Sequence, residues 1–127
     1  MSNHLHLILS ALQNNLSKVL GDFKTFTSKQ LISAIEDNQG ESRGEWMLRI
    51  FSEQGQQNSR NSKYQFWRQD NQPKECYSAA FTAQKINYIH NNPVAAGIVD
   101  RPEHYLYSSA RDYVTQTKCG LLEVTFL

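Results

Sequence analysis

The sequence predicts a mixed α+β domain with few strands and long helices between them. Two observations carry this prediction. In residues 4–9, every second side chain is leucine and the others are histidine or isoleucine, which is typical of a strand with two different faces. Across roughly residues 15–37, apolar side chains recur at spacings of three and four, which is typical of an amphipathic helix. The 127-residue length suits one domain over residues 1–127.

The first half of the chain alternates ordered and polar segments. In the predicted strand, His4, His6 and Ile8 share one face and three leucines share the other, which predicts a leucine face on a core and a histidine face on a site. The helix over 15–37 contains Thr27 and Ser28, a candidate break point. A shorter helix is predicted at 45–51. Residues 52–62, rich in Gln, Asn, Ser and Gly, predict a loop.

The second half carries a clearer helix signal. Residues 64–67 predict a short strand, and residues 68–77 are polar and irregular. Ser78 is a suitable N-cap for a helix over 79–91, which Pro93 is expected to limit because the residue before proline disfavours α conformation. Gly97 and Pro102 predict a turn. A last helix is expected at 105–114, and a last strand at 121–126.

Composition narrows the class of protein. Hydrophobic residues make up 39% of the chain and the net charge is only +1, which disfavours a protein that coats long DNA but allows a compact site for a few phosphates. No apolar run is long enough to cross a bilayer and no signal-peptide pattern is present, so a cytoplasmic location with no membrane partner is expected. Cys76 and Cys119 lack a zinc-type spacing and are interpreted as ordinary thiols.

The strongest chemical signal is a pair of histidines two residues apart. On a strand, His4 and His6 share one face, so both imidazoles can reach one metal ion. The alternative is chance, because four histidines in a chain of this length will sometimes fall this way.

A second signal lies on the helix predicted over residues 79–91. At 100° per residue, Lys85, Tyr88 and Asn92 share the face that carries Phe81. Tyr88 on that face can act as a nucleophile, Asn92 can offer a carbonyl oxygen to a metal, and Lys85 can stabilise a phenolate or contact a phosphate. The alternative for Tyr88 is half-packing against a neighbouring element.

Other candidates have plain structural alternatives. His90 lies on the opposite, apolar side of that helix, so a packed, hydrogen-bonded histidine is expected there. Trp67 and Phe66 can stack on bases or belong to the core. A set of cations can follow a DNA backbone or simply be solvated: Lys24, Lys29, Arg60, Lys63, Arg68 and Lys74.

Five blocks of the sequence resemble one known family. They are SNHLHLI at 2–8, QFWRQDN at 65–71, KINYIHNNPV at 85–94, AGIV at 96–99 and YSSARDY at 107–113. Together they resemble the insertion-sequence-type single-tyrosine HUH transposases, and most closely the REP-associated tyrosine transposase branch. The YIHNNPV run is the most specific, and the blocks span nearly the whole chain.

The resemblance implies a fold and a site. The fold is a ferredoxin-like HUH domain with a small antiparallel sheet and flanking helices. The family has a further strand and helix before the HUH strand, so the chain is expected to be N-terminally truncated, the C-terminal portion of the family domain. His4 and His6 match the two metal-binding histidines, Asn92 the third ligand and Tyr88 the catalytic tyrosine. The metal is magnesium or manganese.

The resemblance also implies the reaction, which is DNA transposition, a form of DNA recombination. Hairpin-bearing single-stranded DNA, such as a repetitive extragenic palindrome, is cleaved to a 5′-phosphotyrosine and then rejoined. Lys85, Trp67, Arg68 and Lys24 are the residues expected to contact the nucleic acid. Family members occur as monomers and as dimers, so a homodimer is among the expected states.

Two alternatives to an active nickase-ligase stay open. One is a catalytically inactive remnant that binds single-stranded DNA or only a partner chain. The other is a small metal hydrolase at the two histidines, which would need a carboxylate at the site, and the sequence places none beside His4, His6 or on the Tyr88 face.

Overall fold

The computed structural model describes residues 3–13, 15–59, 63–117, 121 and 123–126. In this part of the chain, α1 spans Leu16–Asp37, α2 Gly44–Gln56, α3 Ala79–Ala95 and α4 Ala110–Thr115, with a 3₁₀ turn at Pro102–His104. Residues 9–73 form one compact unit, the α1–α2 unit, and residues 1–8 with 74–127 form another, the α3–α4 unit. The single domain over residues 1–127 stays a prediction.

The expected sheet is wrong. The described residues contain no strand, although residues 4–9, 64–67 and 121–126 were expected to form three, so the α+β, ferredoxin-like fold class is corrected to a helical one. A strand needs a neighbour for its backbone hydrogen bonds, and alternation alone does not supply one. The leucine face of the first segment also stays open, with Leu5 55% and Leu7 46% exposed.

In the α1–α2 unit, α1 runs unbroken through the expected break point. The hydroxyl of Thr27 donates to the carbonyl of Phe23 at 2.7 Å, and that of Ser28 donates to Thr25 at 3.1 Å. Each hydroxyl therefore bonds within its own helix, which leaves the helix continuous. The start and end of α1 agree with the helix predicted over 15–37.

The end of α2 packs closely against the chain that follows it. Gly55 is buried, and a Cβ atom there would lie 2.5 Å from the carbonyl oxygen and 2.9 Å from the carbonyl carbon of Lys63. Beside this contact, the Phe51 ring lies 5.0 Å from that of Phe66. The backbone amide of Gln65 donates to the carbonyl of Phe51 at 2.8 Å, which holds the chain around residue 65 against α2.

The Gly55→Ala substitution is expected to destabilise the protein. The added methyl must displace backbone atoms of Lys63, which costs about 1–3 kcal/mol by overpacking and exceeds the gain of about 1 kcal/mol in helix propensity. The matched control is Gly21→Ala in α1, where a Cβ would meet nothing within 4 Å and a gain of about 0.5–1 kcal/mol is expected. Urea unfolding measures both. Equal stabilities of the two variants would contradict the close approach at Gly55.

In the α3–α4 unit, α3 begins as predicted and ends later than predicted. The Ser78 hydroxyl accepts a hydrogen bond from the amide of Phe81 at 3.2 Å, which is an N-cap. The helix then continues through Pro93 to Ala95 rather than ending near residue 91. Proline forfeits only one helical hydrogen bond here, in the last turn. The end is closed by Gly97 at φ 68.

The closure of α3 follows the Schellman pattern. The amide of Ile98 donates to the carbonyl of Pro93 at 2.9 Å, and that of Gly97 donates to Val94 at 2.9 Å. A left-handed φ is inexpensive for glycine, so Gly97 ends the helix without strain. This explains how a proline is tolerated two residues before the last helical position.

His90 anchors α3 to the last helix. It is buried, and its Nε2 atom is hydrogen-bonded to the Ser109 hydroxyl at 2.9 Å. The ring of Tyr113 packs edge-on at 5.1 Å and is itself contacted by Phe126 at 5.3 Å. His90 is therefore the packed, hydrogen-bonded histidine that the sequence predicts. The last helix starts at Ala110, later than the predicted 105.

Acidification is expected to destabilise the α3–α4 unit through His90. Burial lowers the pKa of His90 below its usual range, so the unfolded chain binds a proton at a higher pH than the folded one. The stabilising contribution is complete above the unfolded pKa of about 6.5 and is lost as the pH falls through the folded pKa. Urea unfolding should show this loss as the pH is lowered below the unfolded pKa of about 6.5. A His90→Gln variant should show a smaller loss, and an unchanged loss would contradict the assignment.

Within the described part of the chain, no helix is long and apolar enough to cross a membrane. Cys76 is an exposed free thiol. Some sequence predictions concern residues outside the described ones: Ser2 of the first motif block, Arg60 among the candidate cations, Cys119 and Leu122.

Candidate functional site

One face of α3 carries the side chains that the sequence assigns to chemistry. The ammonium group of Lys85 lies 4.8 Å from the ring centre of Phe81 and 5.9 Å from that of Tyr88. Asn92 follows one turn later on the same unbroken helix. The opposite face is the buried one, with His90 and Pro93. Tyr88 is therefore presented outward, 59% exposed.

The N-terminal segment places its histidines against this face. The His6 ring lies 5.8 Å from the Tyr88 ring at 83° and 4.9 Å from the His4 ring. The Asn92 side-chain amide donates from Nδ2 to His6 Nε2 at 3.0 Å. His4, His6, Tyr88 and Asn92, which are up to 88 positions apart in number, thus lie together in the α3–α4 unit.

Hydrogen bonds orient both histidine rings. Because the Asn3 Oδ1 atom can only accept, His4 Nδ1 donates to it at 2.7 Å, so Nε2 is the His4 nitrogen that could bind a metal. His6 Nε2 accepts from Asn92, so it carries no proton. Burial, with a smaller effect from the charge of His4, lowers the pKa of His6 below its usual range. His4 Nε2 and His6 Nε2 are therefore the candidate metal-ligating atoms.

The donor set fits a divalent cation. His4 Nε2, His6 Nε2 and the Asn92 side-chain oxygen would supply two imidazole nitrogens and one carbonyl oxygen. Asn92 bonds to His6 through Nδ2, and a flip of the same amide presents Oδ1 at that position. No cluster of three or more His, Cys, Asp or Glu side chains suited to a metal occurs among residues that the structure describes. The candidate ligand set is thus two histidines completed by an amide.

A shallow hollow lies beside the Tyr88 ring. Its volume is about 280 Å³, and amide side chains dominate its lining: Gln84, Asn87, Tyr88, Asn91, Asn92 and Ala95. Asn91 donates to the carbonyl of Asn87 at 2.9 Å, which holds its side chain along the helix. Amides on this wall can donate to and accept from a polar ligand.

The remaining predicted nucleic-acid contacts lie in the α1–α2 unit. The Lys24 ammonium donates to the carbonyl of Arg68 and to Asn71 Oδ1, both at 2.8 Å. The Trp67 indole donates to Thr27 at 2.9 Å and its ring packs against Phe23. These contacts give Lys24 and Trp67 structural roles within the unit.

The third predicted contact of this unit is more open. Arg68 pairs with Asp70, with 3.1 Å between Nε and Oδ1, and its side chain is 86% exposed. Its guanidinium group is therefore reachable from solvent, although the adjacent carboxylate offsets its charge. Binding of nucleic acid by Lys24, Trp67 and Arg68 stays a prediction.

Two residues near the site were not predicted from the sequence. Asn3 orients His4, and Tyr77 stacks on Phe81 with 4.7 Å between ring centres. Asn3 directly precedes the histidine pair, and an amide beside a ligand histidine is a detectable signal for a supporting hydrogen bond. Tyr77 precedes the Ser78 N-cap and lies outside α3, so helical spacing does not predict its stacking on Phe81.

The chain was compared with protein families, curated proteins and solved structures. No protein-family model, curated protein or solved structure matches the chain.

Proposed function

We propose that this chain cleaves and rejoins single-stranded DNA, with Tyr88 as the nucleophile and a divalent cation held by His4, His6 and Asn92. One observation carries the proposal: the His6 ring contacts the Tyr88 ring, the His4 ring and the Asn92 amide at once. A nucleophile beside two imidazoles and a side-chain amide is an arrangement that suits phosphoryl transfer.

The reaction is a transesterification at phosphorus. The Tyr88 phenol gives up its proton to solvent, which its 59% exposure permits, and its oxygen bonds to the scissile phosphorus. The bond from phosphorus to the 3′ oxygen of the preceding nucleotide breaks, and that oxygen takes up a proton as a free 3′-hydroxyl. The downstream strand stays on Tyr88 as a 5′-phosphotyrosine. In the rejoining step another 3′-hydroxyl attacks the phosphorus, the bond from phosphorus to the Tyr88 oxygen breaks, and the DNA strand is continuous again.

The other residues of the site would bind and orient the scissile phosphate. Lys85, whose ammonium lies 5.9 Å from the Tyr88 ring centre, supplies the positive charge for the phosphate. A divalent cation in the His4–His6–Asn92 set would act as a Lewis acid on a phosphate oxygen. Of the two candidate metals, manganese suits this set better, because imidazole nitrogens are poor partners for magnesium, which prefers oxygen.

The substrate and the wider role rest on the motif blocks. Their resemblance to REP-associated tyrosine transposases supports family membership, hairpin-bearing single strands such as extragenic palindromes as substrates, and DNA transposition in the cytoplasm as the process. The YIHNNPV run that includes Tyr88 and Asn92 is the most specific part of that support. A homodimer is one arrangement consistent with this role.

The experiment is a strand-transfer assay. Hairpin-bearing single-stranded DNA with a different label at each end is incubated with the protein and manganese, then separated under denaturing conditions. The proposal predicts that only the 3′-end label moves with the protein, and that the fragment with the 5′-end label carries a 3′-hydroxyl that a polymerase can extend. A label pattern of the opposite polarity, or two free fragments without a protein adduct, would contradict it.

A second candidate function is binding of single-stranded DNA without cleavage. The segment with His4 and His6 has no strand partner in the described part of the chain, and its leucines are half exposed. Catalysis needs groups held rigidly in place, whereas binding does not. This candidate predicts salt-sensitive binding of single strands and no adduct at any metal concentration. Binding that is insensitive to salt and to DNA structure would exclude it.

A further inference from the structure

The start of α3 carries a stack of two aromatic rings that the nucleophilic site does not use. The Tyr77 and Phe81 rings are 4.7 Å apart and only 20° from parallel. Although it is stacked, Tyr77 is 76% exposed, so one face of its ring is open to solvent. An exposed tyrosine ring held in a fixed plane is a surface on which a planar group can continue the stack.

The opposite end of the stack carries a cation. The Lys85 ammonium lies 4.8 Å from the centre of the Phe81 ring. Because the Tyr77 ring already covers one face of Phe81, the ammonium lies over the other face. No carboxylate pairs with Lys85 among the described residues, and residues 78–99 contain no Asp or Glu. The charge of Lys85 is thus available to an anion.

These groups lead towards Tyr88. Phe81, Lys85 and Tyr88 share one face of α3, and the helix rises roughly 10 Å between the first and the last of them. That rise equals the length of about three stacked nucleotides of one strand. A ligand that matches this face needs a planar group at one end and negative charge along its length.

We infer that Tyr77, Phe81 and Lys85 form a stacking platform for single-stranded DNA that leads the strand to Tyr88. One base stacks on the open face of Tyr77, and the backbone that follows places a phosphate at the Lys85 ammonium. Single-stranded DNA meets the two requirements, because its unpaired bases expose their faces and its backbone is charged. The identity of the ligand rests on the proposed function, whereas the platform itself rests on the contacts above.

The test measures DNA binding apart from chemistry. A fluorescent oligodeoxythymidylate of about ten nucleotides is titrated with protein at low salt in the presence of a chelator, so that no cleavage occurs. Tyr77→Ala is expected to raise the Kd by about 5- to 100-fold, the loss that one stacked base gives. Tyr77→Phe, which keeps the ring, should restore binding. Tyr107→Ala is the matched control, because Tyr107 is 74% exposed on another segment of the same unit.

The ligand is varied in the same assay. An oligomer with abasic sites throughout should bind the normal protein as weakly as oligothymidylate binds the Tyr77→Ala variant. Tyr77→Ala binding no weaker than Tyr107→Ala, or full affinity for the abasic oligomer, overturns the platform. Tighter binding of oligouridylate overturns the assignment to DNA. If Tyr77→Ala weakens DNA binding but the original protein forms no adduct, the platform stands and the proposed function is refuted. If the original protein forms the adduct but Tyr77→Ala binds DNA normally, only the platform is refuted.

Discussion

Replacing both histidines, His4→Ala together with His6→Ala, is expected to lower the affinity for manganese by at least about 100-fold. The two imidazoles supply two of the three candidate ligand atoms, and each ring is oriented by a hydrogen bond, from His4 to Asn3 and from Asn92 to His6. Loss of both leaves one amide oxygen, which is too weak a ligand on its own. Titration of manganese followed by electron paramagnetic resonance measures the affinity directly.

The matched control for this pair is His104→Ala. His104 is an exposed histidine of the 3₁₀ turn in the same unit, so its removal should leave manganese affinity unchanged. The double variant should keep its helical circular dichroism, because His4 and His6 lie outside every helix. Equal manganese affinity in the double variant and the control would show that the metal binds elsewhere.

Replacing Tyr88 by phenylalanine is expected to abolish the covalent adduct, a loss on the order of 10⁴-fold or more. Phenylalanine keeps the ring against His6 and removes only the oxygen that forms the ester. Because Tyr88 is an exposed side chain, the variant should fold normally and should bind manganese and oligothymidylate within about twofold of the original protein. Denaturing gels of the labelled hairpin reaction measure the adduct.

Tyr107→Phe serves as the control for this substitution. It removes the same atom from a tyrosine of similar exposure, and adduct formation should be unchanged. An adduct formed equally by the Tyr88 variant would remove Tyr88 from the reaction. A Tyr88 variant that also loses manganese binding would show that the phenol oxygen, rather than Asn92, completes the ligand set.

Local structure was predictable where the signal is local. The apolar spacing placed α1 correctly, and the Ser78 hydroxyl marked the start of α3, because both depend on side chains within one or two turns. The end of α3 was not predictable from Pro93 alone. The Schellman closure at Gly97 satisfies the last carbonyls, so the helix extends past the proline.

The prediction of a sheet was wrong because strand formation depends on distant residues. Whether an alternating segment becomes a strand depends on a partner elsewhere in the chain, and the alternation at residues 4–9 says nothing about that partner. The segment lies instead against α3, where His6 contacts Tyr88 and Asn92. Its histidine side therefore lies against α3, while its leucine side is not in a core.

The candidate site shows the same division between local and distant information. Helical geometry alone placed Lys85, Tyr88 and Asn92 on one face, and the lysine contact agrees with it. The proximity of His6 to that face spans more than 80 positions, and only the resemblance to a known family predicted it. Asn3 was missed because its role is a hydrogen bond that no periodicity encodes.

The identity of the residue that carries DNA after the reaction tests the central claim most directly. The adduct is trimmed with nuclease, digested with protease and sequenced by mass spectrometry, which distinguishes the six tyrosines of the chain. If His4, His6, Asn92 and Tyr88 form one site for cation and nucleophile, the nucleotide is attached to Tyr88 and appears only when manganese is present. A nucleotide on another tyrosine, or on Tyr88 to the same extent with a chelator, would contradict the account.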